Sequence, residues 1–418
     1  MFPSVTPVCL SSIATGANVA EHGIPHIVWF DAAQGRVIDY GSSAGAVLAA
    51  GPLRVARDAM IEMTRTHLSS DVATVFESLE ASELVTATVS FTCFRGPVTH
   101  KIRFPGAVRR GRWFETVEGP SKFFFFNLYE SERLKTPFAL RSRASGSVDA
   151  YGATVASQLV ERDEFDYFLY YLPDLDYAAH AGGELSARIA LRRVDNHLGT
   201  MFEAAGGIDK FLERYAIVVS SDHGFSAVHE SSQLEEEFSD LRLLSSRAAG
   251  SPNESDVAVC ASMRAGAVYQ LPGCTLDVRQ LAARAEACPA TDTVFFMEGE
   301  EAVARRQGEE LRFRLSGAEF LRSGAADLLD GDVYPQGLER AWHALNAERS
   351  GDVLVSAADG WEFVDLAGRD HVGGASHGAL TSADSLVPVL AAGLRAPLPV
   401  ALSITDFAAL PRAHFHLT

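Results

Sequence analysis

Five residues in three short stretches carry side chains that commonly bind metal ions. Asp176 and His180 are four positions apart, Asp222 and His223 are adjacent, and His377 lies in a glycine-rich stretch. Residues four apart on a helix lie on the same side, so Asp176 and His180 can share one ion. Carboxylate and imidazole groups together form the mixed oxygen and nitrogen ligand set that zinc accepts. An Asp-His pair alone is equally compatible with a solvated turn, so the argument depends on the combination.

Two of these stretches follow short apolar runs that are typical of buried strands. Tyr167–Leu172 precedes Asp176, and Ala216–Val219 precedes Asp222. Ligands of open parallel sheets lie at the carboxyl ends of the strands, so both stretches are expected at one edge. Between them, Glu184–Ala205 is amphipathic and long enough to be a crossover helix.

Asp174 is an alternative to Asp176 as the ligand that acts with His180. It stands six residues before His180, which is a less favourable spacing on a helix. His371 is a second histidine near His377, and a hydrogen bond to backbone is the favoured interpretation over a role as a further metal ligand.

Thr6 is a candidate nucleophile because its hydroxyl is placed at a helix start. Pro7 suits the first helical position and Thr6 suits the N-cap before it. Backbone N–H groups and the helix dipole stabilise an oxyanion or a phosphate at this point. The helix is expected over Pro7–Ala14, with Gly16 ending it. A capping role and a nucleophilic role for Thr6 are compatible.

The composition excludes several classes of protein. With 36 basic and 54 acidic residues among 418, the formal charge is −18, so binding of a nucleic-acid polymer is not expected. An anionic small substrate would need local cations, which bound metals can supply. Five cysteines without C-x-x-C spacing argue against a disulfide framework. No uncharged apolar run reaches membrane-spanning length, and no basic leader is visible, so a cytoplasmic location is the default expectation.

The chain divides into three segments by composition. Residues 1–229 and 366–418 are predicted to form a catalytic core, and residues 230–365 an inserted α+β cap. The middle segment has short strands, dense charge and a hairpin pattern around Gln307-Gly308, which argue against a buried parallel sheet. Within it, Val278–Ala287 is expected to be a helix capped by Asp277. An ordinary continuation of the core is the alternative.

In order and spacing, the set of Thr6, Asp176, His180, Asp222-His223 and His377 resembles the alkaline phosphatase superfamily. The closest resemblance is to its type I phosphodiesterase/nucleotide pyrophosphatase family, whose nucleophile segment is similar to Phe2–Ile24. The resemblance implies an α/β fold in which a mostly parallel sheet is sandwiched between helices. It also implies that Thr6 is the catalytic threonine.

The same resemblance implies two divalent metal ions, most often zinc. One would be held by Asp176, His180 and His377, and the other by Asp222-His223, the Thr6 oxygen and one further Asp. The implied function is metal-dependent hydrolysis of a small phosphate ester, in the first place a phosphodiester or nucleotide pyrophosphate bond, through a covalent phospho-threonine. The alternatives are a phosphomonoester, phosphonate or sulfate ester hydrolase on the same scaffold, or an inactive metal-binding relative.

Two departures from the family pattern leave questions open. In the family the further Asp ends a strand some tens of residues before the threonine, whereas five residues precede Thr6 here, so a missing N-terminal strand is expected. Pro25, His26 and Ile27 stand where nucleotide-cleaving members carry a phosphate-contacting asparagine. The substrate, the residues that bind it and the oligomeric state are therefore not predicted.

Overall fold

The fold is a mixture of helices and several small sheets around one seven-stranded sheet. The computed structural model describes residues 1–103, 114–125, 129–132, 134, 147–244, 251–395 and 397–417. Within these residues, none of the helices combines the length and the apolar character that crossing a bilayer requires. The five cysteines are unpaired, as their spacing predicts.

The strands fall into three runs along the chain. Those up to residue 232 are β1 (Val28–Asp31), β2 (Arg36–Asp39), β3 (Thr86–Val89), β4 (Val98–Arg103), β5 (Phe114–Gly119), β6 (Lys122–Phe125), β7 (Tyr129–Glu130), β8 (Tyr167–Tyr170), β9 (Ile217–Ser220), β10 (Ser226–Ala227) and β11 (Glu230–Ser232). Those between residues 257 and 357 are β12 (Val257–Ser262), β13 (Ala265–Gln270), β14 (Thr291–Glu298), β15 (Glu301–Arg306), β16 (Glu309–Ser316), β17 (Glu319–Gly324) and β18 (Val353–Ala357). The last three are β19 (Trp361–Phe363), β20 (Ala375–Ser376) and β21 (Val389–Ala392).

The α-helices differ widely in length, and the longest carries the first two candidate ligands. They are α1 (Thr6–Thr15), α2 (Val19–His22), α3 (Ala44–Ala50), α4 (Pro52–Arg57), α5 (Val75–Glu80), α6 (Val148–Arg162), α7 (Asp174–Ala204), α8 (Ile208–Leu212), α9 (Val278–Ala287), α10 (Gly337–Leu345), α11 (Ser382–Ser385) and α12 (Ala409–His414). A π-helix spans Asp58–His67, and 3₁₀ turns span Leu234–Phe238, Pro252–Glu254 and Ile404–Ala408.

A small sheet with the order β7-β6-β3-β8 leads to the first candidate ligands. β6, β3 and β8 run parallel, and β7 is antiparallel to β6. β9, which leads to Asp222, pairs antiparallel with β21 instead of joining this sheet. Among the described strands, β8 and β9 each have a partner on one side only, and the residues of both are only partly buried. The parallel pairing in this sheet is limited to three strands, so the expected mostly parallel sheet between helices is not confirmed.

The largest sheet has the order β12-β13-β18-β14-β15-β16-β17. Each of its pairings is antiparallel, and every one of its strands lies between residues 230 and 365. Gln307 and Gly308 connect β15 to β16 with φ angles of 51° and 83°, the left-handed conformation that a tight hairpin needs. Helix α9 has the predicted bounds, and Asp277 caps it with a reciprocal capping box.

The seven-stranded sheet shares a hydrophobic core with the N-terminal part of the chain. The ring centroids of Phe2 and Phe295 are 5.5 Å apart, and those of Phe30 and Tyr269 are 5.7 Å apart. The middle segment therefore builds its own sheet but does not pack independently of residues 1–93.

The start of α1 differs from its prediction by one residue. The helix begins at Thr6 and its N-cap is Val5, with no side-chain cap, so the expectation that Thr6 caps the helix is wrong. The physical reason is that the Thr6 hydroxyl is turned away from the helix and toward His223. Gly16 ends the helix in the left-handed conformation at φ 72°, as predicted.

Candidate active site

Helix α7 presents Asp176 and His180 on one side of its first turns. It begins at Asp174, earlier than predicted, because the chain continues through a kink with non-helical angles at Gly182 and Gly183. The His180 Nε2 atom lies 3.4 Å from Asp176 Oδ1. The Asp174 carboxylate instead accepts hydrogen bonds from the Ser147 hydroxyl and from the Asp149 backbone N–H. The structure therefore favours Asp176 over Asp174 as the partner of His180.

His377 reaches the same point from the loop that follows β20. Its Nε2 atom is 3.5 Å from Asp176 Oδ1, and its side chain is fully buried. The ring of His377 stacks on that of His223, with 3.5 Å between the centroids and an interplanar angle of 11°. Side chains of residues 201 positions apart along the chain, Asp176 and His377, thus lie within 3.5 Å of each other.

The end of β9 supplies Asp222 and His223, and α1 supplies Thr6. The His223 Nε2 atom is 3.5 Å from Asp222 Oδ2 and 3.2 Å from the Thr6 hydroxyl. The chain turns away at Gly224, where an added Cβ atom would lie 2.1 Å from the carbonyl oxygen of Ala383. Glycine is therefore required for this loop to pack beside the segment that follows His377.

The three site histidines are oriented by the same kind of contact, a backbone carbonyl on Nδ1. His180 Nδ1 is 2.9 Å from Ala375 O, His377 Nδ1 is 2.8 Å from Ser4 O, and His223 Nδ1 is 3.2 Å from Gly224 O. A carbonyl oxygen only accepts, so Nδ1 carries the proton and Nε2 keeps its lone pair. This orientation of histidine by a backbone carbonyl is the one seen around metal ligands.

Four of the atoms turned toward the centre of the site have no hydrogen-bond partner within the described part of the chain. They are Asp176 Oδ1, His180 Nε2, Asp222 Oδ2 and His377 Nε2. Ligand atoms of Asp176, His223 and His377 all lie within 4.8 Å of one another. Buried polar atoms normally have a hydrogen-bond partner. Leaving these atoms without one lowers the stability of the fold unless a cation binds between them. The residues present fit a divalent metal ion with oxygen and nitrogen ligands.

The electrostatics of the site follow from burial and from close opposite charges. Burial alone would raise the pKa of Asp176, but the neighbouring imidazoles of His180, His377 and His223 hold it below its usual value. Burial raises the pKa of the Asp222 carboxyl. Burial and the charge of His223 lower the pKa of His377 well below its usual range, which keeps the ring neutral. A neutral ring is the form that binds a metal.

Tyr171 is a site residue that the sequence analysis missed. Burial raises the pKa of its phenol well above the usual value, and the Asp222 and Asp176 carboxylates raise it further. Its position one residue beyond β8 was the available signal, because this strand ends at the site.

His371 differs from its prediction in the identity of its partner. Its Nδ1 atom is 3.0 Å from the Glu362 carboxylate, and its backbone N–H also donates to Glu362, which is fully buried. The interpretation as a histidine bonded to backbone is therefore wrong, because a buried carboxylate attracts the ring more strongly than a carbonyl does. The ring centroid lies 4.1 Å from that of His180, at the edge of the site.

Comparison with known proteins identifies the family. The family model of type I phosphodiesterases/nucleotide pyrophosphatases matches residues 1–380. The chain belongs to this family. It is accordingly a phosphoric ester hydrolase of the alkaline phosphatase superfamily, as the resemblance implied, and members of the family are metal-dependent. None of the curated proteins matches the chain.

Similar solved structures support the same fold. Phosphonoacetate hydrolase from Sinorhizobium meliloti 1021, in complex with phosphonoformate, is 16% identical, with a TM-score of 0.55 over 99% of this chain and 85% of its own. Murine ectonucleotide pyrophosphatase/phosphodiesterase 5 is 13% identical, with a TM-score of 0.56 over 100% of this chain and 85% of its own. The human protein of that name is 12% identical, with a TM-score of 0.57 and the same coverage. At these identities the likeness establishes the fold alone.

Proposed function

We propose that this protein hydrolyses small phosphodiester or nucleotide pyrophosphate bonds through a covalent phospho-Thr6. The observation that carries the proposal is the contact between the Thr6 hydroxyl and His223, 3.2 Å apart, beside the converged carboxylates and imidazoles. Because His223 Nδ1 faces a carbonyl, Nε2 is the acceptor and the Thr6 hydroxyl donates to it. Because Nε2 is also the atom from which His223 would bind an ion, the Thr6 oxygen is placed to share that ion, which would lower the pKa of the hydroxyl.

The chain's own residues divide the work between two groups. Asp176, His180 and His377 would hold one divalent ion, and Asp222-His223 with the Thr6 oxygen would hold a second. Such ions, when bound, supply Lewis-acid stabilisation to the oxygens that exchange at phosphorus. The bare Nε2 atoms and the unpartnered carboxylate oxygens are the positions from which these side chains would bind.

The reaction that this arrangement supports has two displacements at phosphorus. The Thr6 oxygen forms a bond to phosphorus while the bond to the leaving alcohol or nucleotide oxygen breaks. Water then forms a bond to the same phosphorus and releases Thr6. The N–H groups at the start of α1 lie beside Thr6 and favour the negative charge of the phosphoryl group.

We also propose that residues 230–365 act as a cap that helps select the substrate. Two contacts support this proposal. The Arg264 backbone N–H donates to the His377 carbonyl oxygen at 2.9 Å. The Glu362 carboxylate binds His371, whose ring centroid lies 4.1 Å from that of His180. Residues of this segment thus contact the candidate site, although the strands of its sheet contribute none of the candidate metal ligands. The core segments 1–229 and 366–418 would carry the chemistry.

The function is tested by hydrolysis of four probes by the purified chain with added zinc. Bis(p-nitrophenyl) phosphate is expected to be cleaved fastest, ahead of p-nitrophenyl phosphate, p-nitrophenyl sulfate and phosphonoacetate. Chelation should abolish the activity and zinc should restore it. A faster monoester, sulfate or phosphonate reaction would replace the proposal with that alternative, and bound zinc with no hydrolysis of any probe would indicate an inactive relative.

A further inference from the structure

The segments that carry the candidate ligands are tied together by one short strand pair. β10 follows Asp222-His223 and β20 precedes His377, and the two strands pair through Ser226 with Ser376 and Ala227 with Ala375. The carbonyl of Ala375, in the same strand, holds His180 Nδ1 at 2.9 Å. A displacement of this strand pair would therefore move ligands from all three stretches.

A single buried carboxylate, Asp384, is bonded to both sides of this strand pair. Its Oδ1 atom accepts from the Ser226 hydroxyl at 2.5 Å, and its Oδ2 atom accepts from the Ala379 N–H at 2.8 Å. Its backbone carbonyl accepts from the Gly224 N–H at 2.9 Å. Gly224 is next to His223 and Ala379 is two residues beyond His377, so Asp384 links the loop of one candidate ion to the loop of the other.

Asp384 is in turn fixed by Arg264 from the turn between β12 and β13. The Arg264 Nε atom lies 2.9 Å from Asp384 Oδ2, and both side chains are fully buried. Arg264 also donates through Nη1 to Trp361 O at 3.2 Å, and through its backbone N–H to His377 O. The carboxylate of Asp384 thus binds Ser226, Ala379 and Arg264 around the ligands, and it does not enter the centre of the site.

We propose that Asp384, held by Arg264, is a positioning residue that sets the spacing between His223 and His377 and thereby the affinity for metal. The inference rests on the proposed function, because it assumes that these histidines bind an ion. Residues that orient metal ligands from outside typically change metal affinity by about 10- to 100-fold when they are lost. Asp384 acts through two loops at once, which distinguishes it from a group that fixes one ligand.

Ser226→Ala and Ser376→Ala form a matched pair for the test. Both serines are buried, and they face each other in one strand pair. The Ser226 hydroxyl binds Asp384, whereas the Ser376 hydroxyl has no partner within the described residues. The zinc affinity of each variant would be measured by competition with a chromophoric chelator, together with the thermal midpoint of the metal-free chain.

The expected result is a loss of zinc affinity of about 10-fold or more in Ser226→Ala, and less than about 2-fold in Ser376→Ala. Asp384→Asn should lose more zinc affinity than Ser226→Ala. The thermal midpoints of the metal-free variants should not follow the same order, so that reduced stability does not explain the reduced affinity. Equal zinc affinity in Ser226→Ala and wild type would overturn the inference, and this variant decides the question if Asp384→Asn does not fold. A wild-type chain that binds zinc but hydrolyses no ester refutes the proposed function and leaves this measurement intact, whereas a wild-type chain that binds no zinc overturns both.

Discussion

Two groups of buried histidines in this chain look alike in the sequence and differ in the structure. His180 and His377 have Nδ1 against a carbonyl oxygen, so Nε2 is a bare acceptor. In the second group, His22 accepts the Ile24 backbone N–H at Nδ1, at 3.1 Å, which places the proton on Nε2. In both groups Nε2 lacks a hydrogen-bond partner within the described residues.

Burial and an unpartnered ring nitrogen therefore do not by themselves identify a histidine as a metal ligand. A protonated Nε2 cannot bind a cation, whereas a bare one can. In the site, a carboxylate oxygen of Asp176 also lies 3.4 Å and 3.5 Å from the bare nitrogens of His180 and His377. The direction of the backbone contact and the nearby carboxylate together separate the two groups.

Loss of a site histidine is expected to have the largest effect on zinc affinity. His377→Gln should lower the zinc affinity by more than about 100-fold, because a direct ligand contributes more than the groups that orient it. His22→Gln removes an equally buried histidine of the other group and should keep the zinc affinity of the wild type. Calorimetric titration of both variants with zinc measures the contrast, and similar losses in the two would break it.

Thr6→Ala separates chemistry from metal binding at the same site. The variant should lose turnover of bis(p-nitrophenyl) phosphate by at least ~10²-fold while still binding zinc, because the nucleophile is gone and the imidazoles remain. Thr15→Ala is the matched control, since Thr15 ends the same helix and, among the described residues, its hydroxyl bonds only to the Ser11 carbonyl and the Ala17 N–H. Steady-state rates at saturating zinc give the result, and undiminished turnover in Thr6→Ala would exclude Thr6 from the mechanism.

A smaller effect is expected from pH on the histidines outside the site. Burial lowers the pKa of His22 to about 3 and that of His26 to about 4. Between pH 6.5 and 4 the unfolded chain therefore binds protons that the folded chain refuses, so the free energy of unfolding falls as the pH falls. Each histidine contributes a slope of at most about 1.4 kcal/mol per pH unit.

Urea unfolding of the metal-free chain between pH 7 and pH 5 measures this slope. The free energy of unfolding of His26→Gln should fall less steeply on acidification than that of the wild type. The difference in slope corresponds to at most one proton. An unchanged slope would mean that His26 binds its proton in the folded chain as readily as in the unfolded chain, which would contradict the expected effect of burial.

The site was largely predictable from the sequence because its residues follow strands or share one helix face. The four-residue spacing of Asp176 and His180 and the adjacency of Asp222-His223 are local signals, and the structure brings both pairs together with His377. Asp384 and Arg264 were not predictable, because their roles depend on a contact between residues 120 positions apart. A lone Asp in a polar stretch gives no local sign of such a contact.

The fold was predictable in its elements more than in its sheet arrangement. Helix α9 and the β15–β16 hairpin follow from capping and turn residues, which act within a few positions. The strand order of the antiparallel seven-stranded sheet depends on which strands pair with each other. The alternation of polar and apolar side chains along a strand does not determine its partner. The shared core between this sheet and the N-terminal segment likewise arises from packing of distant residues such as Phe2 and Phe295.

The central claim is that the converged side chains hold metal ions, and that the two groups of ligands do so unequally. Asp176, His180 and His377 supply three protein ligands to one ion, whereas Asp222 and His223 supply two and a hydroxyl to the other within the described residues. Metal analysis of the purified 418-residue chain after dialysis tests this directly. The account predicts close to one tightly held divalent ion per chain; either no retained metal or two tightly held ions would contradict it.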